Sequence, residues 1–190
     1  MMFRIYNSLI LLVFITHFTA AQNSPVFEEV SSKVSGITFQ NTIQENLSSQ
    51  ENLFDFDYFY NGAGVGVGDI NNDGLLDLIF CGNQQPNELY INKGNNQFKK
   101  LEGALNVDGK KYWSNGVTIV DINNDGYLDI YISQGGPHVS EKRKNLLFIN
   151  NGELTFTESA SLYGLDDEGI STQSAFFDFD KDGDLDCVVM

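Results

Sequence analysis

One nine-residue acidic loop occurs three times, as Asp69-Ile-Asn71-Asn-Asp73-Gly74-Leu75-Leu-Asp77, Asp121-Ile-Asn123-Asn-Asp125-Gly126-Tyr127-Leu-Asp129 and Asp178-Phe-Asp180-Lys-Asp182-Gly183-Asp184-Leu-Asp186. Each copy reads D-x-[DN]-x-D-G-x-x-D. Oxygen side chains at positions 1, 3, 5 and 9 converge on one hard cation only if the chain turns sharply, and the glycine at position 6 permits that turn. The ion that suits such a set is Ca²⁺, about one per loop. Position 7 adds a backbone carbonyl from Leu75, Tyr127 or Asp184, and a bidentate Asp at position 9 brings the count to the six or seven oxygens that Ca²⁺ prefers. Asp, Asn and Gly also favour plain polar turns. A plain turn, however, gains nothing from crowding three or four carboxylates whose mutual repulsion a cation relieves.

An EF-hand begins the same way but closes with Glu at position 12 and has a helix on each side. Position 12 is Phe80, Ile132 and Val189 in the three copies, and the flanks do not read as helices. Gly62-Ala-Gly-Val65-Gly-Val67-Gly68 and Gly116-Val117-Thr-Ile119-Val120 precede the first two loops, and Leu76-Asp-Leu78-Ile-Phe80 and Leu128-Asp-Ile130-Tyr-Ile132 follow the acidic core. Alternating apolar and β-branched residues predict strands.

The first Asp of each loop falls at 69, 121 and 178, a spacing of 52 and then 57 residues. That is a propeller-like period. A second pattern recurs after the first two loops: Asn87-Glu-Leu89-Tyr-Ile91-Asn92-Lys-Gly94 before Phe98, and Asn145-Leu-Leu147-Phe-Ile149-Asn150-Asn-Gly152 before Phe156. Its Asn/Gly turns predict a hairpin. One unit thus holds four strands, as a propeller blade does. The Gly-x-Gly-x-Gly run at 62–68 suits an innermost strand crowded by its neighbours. Phe27-Glu-Glu-Val30 with Gly36-Ile37 repeats the Phe156-Thr-Glu-Ser with Gly164-Leu165 that ends a unit, and so reads as an outer strand lacking the rest of its blade. In a closed ring such a strand would complete the last blade.

The acidic loop after a Gly/Ala-rich strand, followed by N-x-L-Y-x-N-x-G and Phe, resembles the FG-GAP/VCBS repeat family. Within that family it is similar to secreted, cartilage acidic protein-like chains that carry a terminal ASPIC/UnbV domain. The resemblance covers about residues 27–190 and implies an all-β fold, a partial β-propeller of four-stranded blades with Ca²⁺ in the loops between the first two strands, as in integrin α heads. It assigns the ligand roles to Asp69, Asn71, Asp73 and Asp77 and to their counterparts. The expected division is a signal peptide over 1–21, an N-terminal strand and aromatic linker over 22–61, and repeats over 62–190. Blades are expected near 62–113 and 114–170, with a third begun at 171–190, and the chain reads as the N-terminal part of a longer protein.

Arg4, the apolar stretch from Leu9 to Phe18 and Thr19-Ala20-Ala21 predict an export signal cleaved before Gln22. The apolar run is short and interrupted for a membrane span. Removing it turns the formal charge of −15 into −16, and three Ca²⁺ ions would bring that to −10. Such acidity argues against nucleic acid and anionic membranes as partners. Cys81 lies four residues past the last Asp of its loop and Cys187 one past, which puts them on opposite strand faces and predicts buried thiols rather than a disulfide. Asn46-Leu-Ser48 matches a glycosylation acceptor pattern.

No constellation beyond the loops points to catalysis. His138 stands alone in a loop insertion, and there is no G-x-S-x-G elbow or H-E-x-x-H site. A carboxylate pair could serve glycoside hydrolysis, yet the acids recur at the same spacing in every copy. Tyr60 and Tyr112 share one register and predict a repeated packing residue, while Trp113, replaced by Asn61 in the first repeat, is the candidate for ligand stacking. Lys142-Arg-Lys144 reads as a solvated loop. The expectation is a non-enzymatic, Ca²⁺-binding segment of a secreted or cell-surface protein that recognises an extracellular protein or glycan. The alternative is the non-catalytic beginning of a polysaccharide-acting or glycan-uptake protein whose active site lies beyond residue 190.

Overall fold

The computed structural model describes residues 27–105, 107, 113–137 and 143–190. The expected signal segment, Tyr112, His138 and Lys142 lie outside them. The regular structure of the described chain is almost entirely β. Strands β1 (Val65–Gly68), β2 (Asp77–Phe80), β3 (Glu88–Asn92) and β4 (Phe98–Leu101) form one antiparallel sheet in chain order. Strands β5 (Ser114–Val120), β6 (Asp129–Gln134), β7 (Leu146–Asn150) and β8 (Phe156–Glu158) repeat that order in a second sheet. A third sheet pairs β9 (Ser174–Phe177) with β10 (Asp186–Val189).

Each acidic loop joins the first two strands of a sheet. Its ends are register partners in every copy: Gly68 with Asp77, Val120 with Asp129, and Phe177 with Asp186. The turns after β3 and β7 also match. Lys93 N donates to Gln97 O and Asn151 N to Thr155 O, while Gly94 and Gly152 both take φ of 77°. Only a residue without a Cβ adopts that conformation at no cost, which is why glycine stands at both.

Period-2 alternation decides which sheets touch. Ile79, Cys81, Leu89 and Ile91 of the first sheet pack against Ile130, Ile132, Leu146 and Phe148 of the second in one buried cluster. The opposite face of the second sheet, with Tyr131 and Leu147, meets Phe176 and Val189 of the third. Full burial of a side chain such as Ile79 or Leu147 contributes roughly 1.5–3 kcal/mol, so the stacking of sheets, not any single hairpin, supplies the core.

The first strands of the three sheets run side by side. A Cβ at Gly66 would come within 3.1 Å of Val117, and one at Gly68 within 3.0 Å of Ile119, so the glycines of β1 admit β5 at close range. Thr118 Oγ1 donates 2.8 Å to Ser174 O, tying β5 to β9.

The outward face of the first sheet carries the N-terminal segment. Phe39 stacks on Phe80 at 5.1 Å, Thr38 N donates to the Tyr90 hydroxyl at 3.2 Å, and Tyr90 is fully buried. The short helix α1 (Ser32–Ser35) ends on left-handed Gly36, just as α2 (Ala160–Tyr163) ends on left-handed Gly164. The likeness seen in the sequence thus holds for the short helix and its glycine cap, but not for the strand expected before it. Residues 27–30 form no strand in the described structure.

Two aromatic expectations are corrected. Tyr60 is 59% exposed and is no packing residue; Phe59, its neighbour, is the buried one. Trp113 is 1% exposed, packed on Phe56 and Phe59 with ring centroids 6.0 and 5.2 Å away, and has no free face on which a ligand could stack.

Candidate metal centre

The loops are built by their own backbone. In the first, Asp69 Oδ1 accepts from Asp73 N at 3.0 Å and Oδ2 from Gly74 N at 2.8 Å, while Asp73 Oδ1 accepts from Leu75 N at 2.9 Å. The second repeats this set: Asp121 accepts from Asp125 N and Gly126 N, and Asp125 from Tyr127 N. The amide of Asn71 donates to Asp73 at 2.9 Å, and that of Asn123 to Asp125 at 2.8 Å. Positions 1, 3 and 5 are thus linked by hydrogen bonds at an exposed loop tip.

Two backbone positions make the turn. Gly74, Gly126 and Gly183 have φ of 84°, 88° and 99°, and the position-4 residues Asn72, Asn124 and Lys181 have φ of 57°, 57° and 66°. Asparagine tolerates that left-handed region better than most residues. Asn72 also reaches out, donating 2.9 Å to Gly126 O in the second loop.

Position 9 has a second role that the motif does not announce. Asp77 is fully buried, with Oδ2 accepting from Ile70 N at 2.9 Å and Oδ1 from Asn92 N at 2.8 Å. Asp129 is equally buried and accepts from Ile122 N at 3.0 Å and Asn150 N at 2.8 Å. These carboxylates clamp the loop entrance to the third strand of their sheet. Burial raises both above the usual carboxylate range, against the opposing pull of the backbone donors and with nearby loop aspartates adding to the rise. Each carboxylate oxygen has two acceptor sites, so the clamp does not use up the capacity of either group.

The third loop is more open. Asp178, Asp180 and Asp186 each bring a carboxylate oxygen to within 4.8 Å of the others. Among the described residues this is the one such group of three acidic or metal-ligating side chains. Asp186 repeats the clamp at one end, accepting from Phe179 N at 2.8 Å, and Asp182 accepts from Asp184 N at 3.1 Å. That backbone bond, with a side-chain contact to Asp184, holds Asp182 below the ordinary range, while contact with Asp182 holds Asp184 above it. An all-oxygen set of this kind, in a loop without His or Cys, fits a hard cation.

Sequence reasoning missed the asparagine that braces each of the first two loops from behind. Asn92 Nδ2 donates to Leu76 O at 2.8 Å and its Oδ1 accepts from Gly94 N at 2.9 Å. Asn150 does the same with Leu128 O and Gly152 N, and adds a buried bond to Ile70 O. The signal was present in the repeated Asn-x-Gly, read only as a turn. Lys144, expected in a solvated cluster, pairs with Asp166 at 2.9 Å.

These repeats match known proteins. An FG-GAP-like repeat family model covers residues 69–132. Cartilage acidic protein 1 of Xenopus tropicalis is 36% identical over 127 residues, 66% of this chain and 19% of that protein. Its Mus musculus counterpart is 35% identical over the same length, again 19% of that protein. A T-cell immunomodulatory protein homolog of Plasmodium yoelii yoelii is 29% identical over 194 aligned residues, 93% of this chain and 26% of that protein. The chain therefore spans about a fifth to a quarter of the length of the curated relatives it matches. With its acidic loops, its four-stranded units and these relatives in agreement, the chain carries an FG-GAP-like repeat region.

Proposed function

We propose that this chain is a Ca²⁺-stabilised β-propeller segment of an exported protein, that its four-stranded sheets are blades, and that its role is non-enzymatic recognition of an extracellular protein or glycan. The observation that carries the metal reading is the gathering of Asp178, Asp180 and Asp186 at one loop, in the register that Asp69 with Asp77 and Asp121 with Asp129 repeat. In each site the residues at positions 1, 3, 5 and 9 hold the ion, with the carbonyl of Leu75, Tyr127 or Asp184 beside them. The ion supplies charge neutralisation and a rigid loop. The chain's own contribution is to preset the loop through backbone donors and to anchor it through the buried clamp at position 9.

The blade reading is supported by β1, β5 and β9 lying side by side along a cleft of about 450 Å³, as innermost strands of successive blades would. Extracellular recognition is supported by the similarity to cartilage acidic protein 1 and to the T-cell immunomodulatory protein homolog. No helix among the described residues is long and apolar enough to cross a membrane.

Isothermal titration of the full-length protein tests the metal reading. Ca²⁺ should bind with a dissociation constant on the order of 10⁻⁴ to 10⁻³ M, as extracellular modules do, and Mg²⁺ more weakly. Absence of a Ca²⁺ heat, or equal binding of both ions, would count against it.

A further inference from the structure

At the end of the first strands away from the acidic loops, the segments leading into β1, β5 and β9 enclose a cavity of about 520 Å³. That volume is within the roughly 300–1,000 Å³ of small-ligand sites. Tyr58, Asn61, Asn115, Ile170 and Thr172 line it together with residues 62–64. Among the described residues that line it no side chain carries a charge, in a chain whose formal net charge is −15.

The lining follows the repeat. Ala63, Asn115 and Thr172 each stand six residues before the first Asp of their loop, so three successive repeats bring one register position to one mouth. The loop positions are nearly the same residue in every copy because they share one task. Position −6 is Ala, Asn and Thr, so each repeat adds a different group to the cavity.

Tyr58 is 61% exposed, and its ring packs edge-on against Phe56 with centroids 5.9 Å apart. Phe56 packs in turn on the buried Trp113. The tryptophan that the sequence marked for stacking instead backs a cluster that presents a tyrosine. An immobilised aromatic face gives a large contact at little entropic cost. Asn115 commits its amide nitrogen to Ser171 O at 2.7 Å, and Thr172 donates its hydroxyl to Met190 O at 3.0 Å, so each still has an oxygen able to accept.

We infer that this cavity binds a neutral sugar, its ring stacked on Tyr58 and its hydroxyls hydrogen-bonded by Asn61, Asn115 and Thr172. A pyranose has one apolar face and a rim of hydroxyls, which matches one aromatic wall opposite uncharged polar groups. A carboxylated sugar is disfavoured because no cation among the described residues lines the site. The inference rests on the recognition reading above and names its ligand class and its place.

Saturation-transfer NMR on the full-length protein with methyl glycosides of glucose, galactose, mannose and N-acetylglucosamine, and with glucuronate as the charged control, tests it. At least one neutral glycoside should bind and glucuronate should not. Tyr58→Ala should weaken binding about tenfold or more, and Tyr58→Phe should keep most of it. Asn61→Ala should lower affinity while leaving the melting temperature unchanged. Failure of every neutral glycoside, or binding that survives Tyr58→Ala, would overturn the inference. If Ca²⁺ still raises the melting temperature of the same sample, the proposed propeller stands without it; Tyr58-dependent sugar binding with no Ca²⁺ response would retain the sugar site and remove the metal.

Discussion

The side-chain amide of Asn150, in the second sheet, donates a buried hydrogen bond of 2.8 Å to the carbonyl of Ile70, the residue after the first aspartate of the first acidic loop. Ile70 N in turn donates to Asp77. One residue, through its N–H and its carbonyl, therefore links the clamp of one repeat to the brace of the next. Removing the amide strands two acceptors, Ile70 O and Leu128 O, and the donor Gly152 N. An unsatisfied buried group costs about 1–3 kcal/mol. Asn150→Ala should therefore destabilise the protein by about 2–4 kcal/mol in urea unfolding. Asn92→Ala should cost less, since Asn92 is only half-buried and its bonds stay within its own sheet.

Asp73 and Asp77 should separate in their dependence on the ion. In chelator, Asp77→Ala leaves Ile70 N and Asn92 N without their acceptor and should cost about 2–4 kcal/mol. Asp73 is exposed and serves only the loop tip, so Asp73→Ala should cost under about 1 kcal/mol there. In saturating Ca²⁺ the Asp73 variant should lose about a further 1.4–2.7 kcal/mol of linkage. Equal costs for Asp73→Ala in the two buffers would show that it is not a ligand.

The third loop should fill at the lowest Ca²⁺ concentration. It offers Asp at position 3 where the others offer Asn71 and Asn123, and three of its carboxylates already lie within 4.8 Å of one another. Ligand charge tunes affinity. Asp180→Asn should bring it toward the other two in a site-resolved NMR titration. Simultaneous filling of all three, or the third filling last, would show that charge does not set the order.

Cys81 should be inert in the folded protein. Burial pushes its thiol up to about 12, so the reactive thiolate is scarce at neutral pH. Cys81 and Cys187 are unpaired, and they face the second sheet from opposite sides. Iodoacetamide mapping by mass spectrometry should leave Cys81 unmodified until the chain is unfolded in urea. Rapid native labelling would contradict the packing described for β2.

Much of the fold was legible because its signals are local. The spacing of Asp69, Asp121 and Asp178 marked the hairpins, and Asn92-Lys-Gly94 and Asn150-Asn-Gly152 marked the next turns, each within nine residues. What was hidden depends on through-space partners. Nothing beside Asp77 in the chain says that its acceptors face Ile70 and, 15 residues on, Asn92. Burial of Trp113 and exposure of Tyr60 are set by how residues 52–61 fold back on the start of β5, which no periodicity in that aromatic run encodes. At the candidate site the turn that carries the exposed acids was readable and the buried clamp was not.

Thermal unfolding of the full-length protein in 10 mM Ca²⁺ and in chelator tests the central claim most directly. With dissociation constants on the order of 10⁻⁴ to 10⁻³ M, each filled loop adds about 1.4–2.7 kcal/mol to the unit that holds it. The account predicts a clear rise in Ca²⁺ that shrinks stepwise in Asp73→Ala, Asp125→Ala and Asp182→Ala. The same melting temperature in both buffers would contradict it.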